Sequence, residues 1–439
     1  MAGQGSLAER DARALWHPYT QHGLEREALP VARAEGSLLV LEDGREVIDA
    51  ISSWWTCLHG HAEPRLVAAL WDQAARLDHV LFAGCTHEPA VALAEELLAV
   101  APPGLARVFY SDDGSTAVEV ALKIALQGQR QAGESERRVF VALEGAYHGD
   151  TFGSMAVGER EPFFAPFEPL LFEVRRAAVD AAAIESALAE LGPRAAGVIL
   201  EPLVQGAGGM RMHGPEFVAG VRALCDVAGV PLIADEVMTG FGRTGTLFAC
   251  SRAGVTPDLL CLAKGLTGGL LPLAATLATE RLYEAFLSAD RGRMFFHGHS
   301  FTGHPIGCAV ALASLALCRT EDTPARLEAL GRKLELSLRA RLRSAPGAAA
   351  AAALASVRRR GGIVALDVPG PPTGGPAGPA GAGAGYLSRR ALTLRAAAIE
   401  RGVLLRPLGD VLYAMPPACT TEAQAERIAA AMAELALLP

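Results

Sequence analysis

Val230-Pro-Leu-Ile-Ala-Asp235-Glu236 is an apolar run that ends in two carboxylates, and Asp258-Leu-Leu-Cys-Leu-Ala-Lys264 is a second that ends in a lysine. Runs of this length without polar alternation suit strands buried on both faces, as in a parallel sheet covered by helices. Working outward, Arg107–Ser111, Val139–Leu143 and Gly197–Leu200 read as further buried strands. Helical patterns at Thr116–Gln127, Asp180–Leu191 and Pro215–Ala228 alternate with them, and Asp180 is placed as an N-cap. Strand alternating with helix predicts an α/β fold with a mostly parallel central sheet flanked by helices.

The two ends of the chain read differently. Leu38–Glu42 and Val47–Ile51 are short strand-like runs around a turn at Asp43-Gly44. Beyond Pro324 come a charged helix at Arg326–Leu342, the run Ala348–Ala353, a strand at Gly361–Val368, a helix at Leu387–Arg401 and a hairpin over Leu404–Met415. This predicts a smaller α+β unit. The expected division is an N-terminal segment 1–60 that packs with the small unit and shapes the substrate pocket, a large unit 61–323, and a small unit 324–439. Between Pro369 and Gly385 stand only Pro, Gly, Ala and one Thr, expected as a flexible surface insertion.

Composition narrows the function. The chain has 439 residues, 51% hydrophobic and 20% charged, which suits two or three packed units with a large core. Its net charge of −8 comes with no basic stripe, and aromatics are 6%, so a nucleic-acid partner is not expected. Its most apolar stretch, Ile306–Cys318, is too short to span a bilayer and reads as a buried helix. Met1–Arg13 lacks the apolar core of a secretory signal. The eight cysteines form no C-x-x-C pair; reduced thiols in a cytoplasmic protein are expected, and no metal site.

Lysine is scarce. Only Lys123, Lys264 and Lys333 occur among 40 basic residues. Lys123 and Lys333 fall on amphipathic helices and read as solvated charges. Lys264, at the end of a buried strand, is partly desolvated, and burial favours its neutral amine. A neutral amine can attack a carbonyl to form a Schiff base; an arginine cannot. On spacing alone, Lys264 reads equally well as a side chain snorkelling from a strand end. Asp235 closes the neighbouring strand, where ligands of α/β sheets bind, and a carboxylate there can hold the protonated ring nitrogen of pyridoxal phosphate. Alone it would be a turn or cap residue. Ser111-Asp-Asp-Gly114-Ser115-Thr116 links a strand to a helix start. Free backbone N–H groups there can bind a phosphate, with the Ser115 and Thr116 hydroxyls as further donors. Tyr147, in Tyr147-His-Gly-Asp150, is placed to stack on such a ring, or is a core tyrosine. Together these describe a site for an aldehyde cofactor that carries a phosphate.

The order Asp235-Glu-Val-Met-Thr-Gly-Phe-Gly-Arg-Thr-Gly245, then Ala-Lys264-Gly, resembles the class III aminotransferases, which are fold-type I pyridoxal-phosphate enzymes. The resemblance runs from about Trp16 to Pro417. His17-Pro-Tyr19-Thr, Ser52-Ser-Trp54-Trp55, Tyr147-His-Gly-Asp150 and Arg406-Pro with Tyr413-Ala-Met-Pro-Pro417 are similar to the branch serving biotin synthesis. That branch moves an amino group from S-adenosylmethionine to 8-amino-7-oxononanoate; some relatives use lysine as donor. The resemblance implies that Lys264 binds the cofactor covalently and shuttles the proton, that Asp235 holds the ring nitrogen, and that Gly114 and Ser115 hold the phosphate. Tyr147 would face ring and substrate, and Val237 would join the cofactor-binding set. Tyr19, Trp54, Trp55 and Asp150 would shape the substrate pocket, and Arg406 would pair with the substrate carboxylate. Were Trp54 and Trp55 extended, they would point opposite ways and one would line the pocket. The loop His297-Gly298-His299-Ser300 would reach the phosphate of a neighbouring subunit, implying a homodimer with shared sites. It reads Gly-His-Ser-Phe where the family more typically has Gly-Pro-Thr-Phe. Another class III activity, an ω-amino acid aminotransferase or a semialdehyde aminomutase, would share Lys264 and differ in acceptor. A non-catalytic binding module of the same fold would not need Lys264 and Asp235 intact.

Overall fold

The computed structural model describes residues 5–25, 28–368 and 386–438. The stretch 369–385, expected as an insertion, lies outside the described residues. Seven strands form the central sheet, edge to edge Leu105–Ser111, Ala274–Thr279, Leu259–Leu262, Leu232–Asp235, Ala195–Leu200, Val139–Leu143 and Val174–Ala177. Only Ala274–Thr279 runs against the rest. The four central strands starting at Leu259, Leu232, Ala195 and Val139 are buried at every residue. Their unbroken apolar sequences therefore reflect helices on both faces. Gly114–Gln131 packs on one face; Ala181–Leu191, capped by the Asp180 side chain on Ala183 N–H, and Pro215–Ala228 pack together elsewhere. Pro305–Thr320 is the buried helix expected around Ile306–Cys318. Among the described residues no helix is long and apolar enough to cross a membrane.

Chain ends combine in smaller sheets. Val31–Glu35, Leu38–Leu41 and Glu46–Asp49 form an antiparallel meander, and Val403–Leu404 adds to it in parallel beside Glu46–Asp49. Arg358–Arg360, Ile363–Asp367 and Val411–Ala414 form a separate antiparallel sheet. This corrects the hairpin expected over Leu404–Met415 in part: Leu408 and Val411 close a tight antiparallel bridge, but the arms beyond it belong to different sheets. The apolar spacing is right for two strands, but the partners of each lie far away in the chain. Arg406 stands in the connection between them.

Candidate active site

Five parallel strands of the central sheet bring their carboxyl ends to one edge, where ligands of α/β folds bind. Asp235 closes one of those ends, and Gly114 and Ser115, Tyr147 and His148, Glu201 and Lys264 follow the others. They line a cavity of about 510 Å³ together with Trp55 and Val237.

Asp235 is buried in it, and Lys264 is half-buried in its wall. Burial pushes the Lys264 ammonium down from the ordinary value of 10.5, while Asp235, Glu201 and Asp150 pull the other way. Its Nζ lies 4.8 Å from the centre of the Trp55 ring. Lys264 itself sits at φ +46°, the first residue of a 3₁₀ turn to Thr267. Asp235 Oδ1 accepts the Val237 N–H at 3.0 Å, and Oδ2 lies 2.7 Å from His148 Nδ1. The carboxylate is thereby fixed in direction. Neither Lys123 nor Lys333 comes near. Lys123 Nζ lies 3.0 Å from His297 Nδ1, and Lys333 pairs with Glu422 and Glu426.

The helix start is a pre-shaped cradle. Asp113 caps it by accepting the Thr116 N–H at 2.9 Å, and the Thr116 hydroxyl returns to Asp113 in a capping box. This corrects one expectation: the Thr116 hydroxyl is used by the cap and is not a free donor. Ser115 Oγ accepts the Asp150 N–H at 3.1 Å and keeps its own hydrogen to give. A Cβ on Gly114 would stand 2.6 Å from Val237 Cγ1, so glycine is required there. Open backbone donors at a helix N-terminus, a buried carboxylate and a desolvated amine, converging on one cavity, suit a pyridine ring bearing a phosphate and an aldehyde.

The mouth of the cavity is aromatic. Tyr19 packs edge-on against Trp54, Phe163 and Tyr386 with centroids 5.8, 5.6 and 6.0 Å away. Tyr19 and Tyr147 both donate to Asp150, and burial raises both phenols above their ordinary value. Tyr147 also stacks on Phe164. The Arg406 guanidinium lies 4.2 Å from the Trp54 ring and donates to the Tyr386 hydroxyl at 2.9 Å. Among the described residues, no carboxylate pairs with Arg406.

Trp54 and Trp55 are not extended. Ser52, Ser53, Trp54 and Trp55 carry φ of +50°, +44°, +69° and +75°, a left-handed turn built without glycine. Such backbone costs roughly 1–2 kcal/mol per residue and persists only where contacts impose it. The turn removes the extended geometry assumed for the pair, yet only Trp55 lines the cavity, as expected of one of the two. Trp55 lies against Lys264, and Trp54 against Arg406 and Tyr19.

Gly298, His299 and Ser300 stand outside this cavity lining. His299 Nε2 is 3.8 Å from Asp112, and the flanking Phe296 and Phe301 are 66% and 58% exposed. Three participants carried no assigned role in the sequence. His148 was quoted only within the Tyr147 motif. Glu201 directly follows a buried strand, which is the signal that picked out Asp235. Buried, it accepts the Tyr147 and Gly206 N–H groups, and burial raises it to about 7 despite His148. Tyr386 offered no local signal.

Comparison with known proteins agrees with this geometry. The family model for class III aminotransferases matches residues 19–436. The chain is 49% identical to the adenosylmethionine-8-amino-7-oxononanoate aminotransferase of Synechococcus elongatus, over 96% of this chain and 98% of that one. It is 41% identical to the enzyme of the same name from Geobacter sulfurreducens, over 95% and 94%. The crystal structure of the Methanocaldococcus jannaschii protein of that name superposes with a TM-score of 0.88 at 33% identity, covering 98% of each chain. An amine transaminase from an uncultivated Pseudomonas species, solved with pyridoxal phosphate bound, gives 0.86 at 31% identity, covering 96% and 98%. The matched span takes in every strand end around the cavity and the aromatic mouth, and over that span the chain belongs to the class III aminotransferases, with pyridoxal 5'-phosphate as its cofactor.

Proposed function

We propose that the protein transfers an amino group from S-adenosylmethionine to 8-amino-7-oxononanoate, giving 7,8-diaminononanoate for biotin synthesis. The observation that carries the acceptor is Arg406, a half-buried guanidinium with no carboxylate partner among the described residues, at one end of an aromatic wall. An apolar chain laid along Tyr19 and Trp54 would bring its terminal carboxylate to that fork, which suits a bidentate contact. The names of the relatives above support the same substrates.

Pyridoxal phosphate, when bound, supplies an aldehyde for amine exchange and a ring that stores the electron pair left by a departing proton. Around it the chain's residues divide the work. Gly114 and Ser115 hold the phosphate with backbone and hydroxyl donors. Asp235, steadied by His148 and the Val237 N–H, keeps the ring nitrogen protonated. Lys264, its amine shifted toward neutrality by burial, attaches the cofactor between turnovers and carries the proton at the substrate carbon. Trp55 covers the lysine and keeps water from it. Tyr147 and Asp150 orient the ring and the amino group. Gly298, His299 and Ser300 reach the phosphate of a second copy in a homodimer. Their exposed flanking phenylalanines support that reading. All eight cysteines are free, six of them buried, which accords with a cytoplasmic protein.

The test is a half-reaction. Visible absorbance of the bound cofactor is followed on mixing the holoenzyme with S-adenosylmethionine, then with lysine, and then on adding 8-amino-7-oxononanoate. Loss of the band with S-adenosylmethionine, restored by the keto acid, is expected. Response to lysine alone changes the donor. Response only to a generic ω-amine, with none to the keto acid, moves the protein to another class III activity.

A further inference from the structure

Asp49 closes the strand Glu46–Asp49 and its carboxylate is fully buried, yet it touches neither the cavity nor any residue assigned above. Its Oδ1 accepts the Ile51 N–H at 3.2 Å, and its Oδ2 accepts the Ser53 hydroxyl at 2.8 Å. His61 Nε2 meets the same Oδ2 at 2.8 Å, while His61 Nδ1 faces Cys57 Sγ at 3.7 Å. One carboxylate and one imidazole thus hold the start of the left-handed turn, and His61 reaches its end. The opposite side is held from elsewhere: Ser52 Oγ donates to the Met415 carbonyl, Trp55 Nε1 to the Tyr413 hydroxyl, and the buried Arg243 to the Trp55 carbonyl. Among the described residues, Trp54 alone of the four has no hydrogen-bonded anchor of its side chain. Its place against Arg406 depends on the backbone beneath it.

We propose that Asp49 and His61 are positioning residues for the keto acid: they hold the turn that sets Trp54 against Arg406, and so fix the wall along which the substrate chain lies. This rests on the acceptor proposed above. The pair acts through Trp54 and touches no reacting atom, so it belongs to recognition and not to the chemical step.

The test is steady-state kinetics of the holoenzyme with 8-amino-7-oxononanoate as varied substrate. His61→Ala and Asp49→Asn are each expected to raise KM about tenfold with kcat within about twofold, and to leave the absorbance of the bound cofactor unchanged. His61→Gln, which keeps an N–H for Asp49, is expected to recover most of the loss. In a Trp54→Ala background, His61→Ala should add nothing, because the residue it positions is gone. Ser53→Ala removes one arm of the brace without disturbing the buried pair. It is expected to raise KM in the same direction, which covers the case in which a pair variant fails to fold. Additive effects in the Trp54→Ala background, a fall in kcat with KM unchanged, or an unaltered KM in Ser53→Ala and His61→Ala would each overturn the proposal. A wild-type enzyme that ignores the keto acid overturns the acceptor and this inference together. A wild-type enzyme that uses it, with His61→Ala indistinguishable, overturns only this one.

Discussion

Asp235 closes, and Lys264 follows, a strand in which every residue is buried, whereas Trp54 and Arg406 stand on a left-handed turn and an irregular connection. The inner part of the cavity is held by neighbours in one sheet. The mouth is held by segments that meet from opposite ends of the chain; Ser52 and Met415 are 363 residues apart. A sheet edge keeps its geometry whatever the substrate. A turn clamped by a few side chains can be retuned by changing the clamps. On the proposed function, the chemistry common to the family would fall to the sheet edge, and discrimination among acceptors to the mouth.

The contrast can be broken or sharpened by experiment. Lys264→Ala removes the only lysine in the cavity and is expected to slow single-turnover amino transfer by on the order of 10⁴-fold or more, with loss of the visible band of the linked cofactor. Asp235→Asn keeps the shape and the His148 contact but removes the charge; about a 10²-fold fall in kcat is expected with any acceptor. Arg406→Lys keeps the charge and loses the fork. The KM for the keto acid is expected to rise about tenfold or more, with kcat little changed. Were Arg406→Lys to lower kcat as much as Asp235→Asn does, the division between inner site and mouth would fail.

The smallest effect is on stability. Burial opposes the His61 cation, but the hydrogen bonds and charges of Asp49 and Cys57 together outweigh it and raise the imidazole from 6.5 to about 10. Folded protein therefore holds this proton more tightly than unfolded protein does. The resulting stabilisation is complete below 6.5, declines as pH climbs, and is gone above about 10. In thermal melts, wild type should exceed His61→Gln by about 1–2 °C in Tm near pH 6, with the gap closing toward alkaline pH. A gap that widens with pH would mean that the imidazole is neutral in the folded state.

The sequence was legible where the physics is local. A buried strand announces itself by an apolar run, and a charged residue directly after it announces a site, so Asp235, Lys264 and Gly114 could be read at once. Glu201 obeys the same rule after Ala195–Leu200 and was available to it. Over Leu404–Met415 the tight turn is there, at Leu408–Val411, but it carries a single bridge, and the arms beyond it find partners in two other parts of the chain. The handedness at Trp54 and Trp55 left no trace, since no glycine marks it and its clamps come from Asp49, Arg243 and Tyr413. Tyr386 and Phe163 meet at 4.8 Å across more than half the chain, a distance no pattern within a window reports.

The scarcity of lysine has a practical consequence. An aldehyde condenses with any neutral amine it meets, and most proteins offer it many on their surface. Here the side chains offer two outside the cavity: Lys333 pairs with carboxylates and Lys123 touches a histidine. Stray adducts are confined accordingly. Hydride reduction of the loaded protein should label close to one site per chain, so the mass gained becomes a direct count of occupied centres.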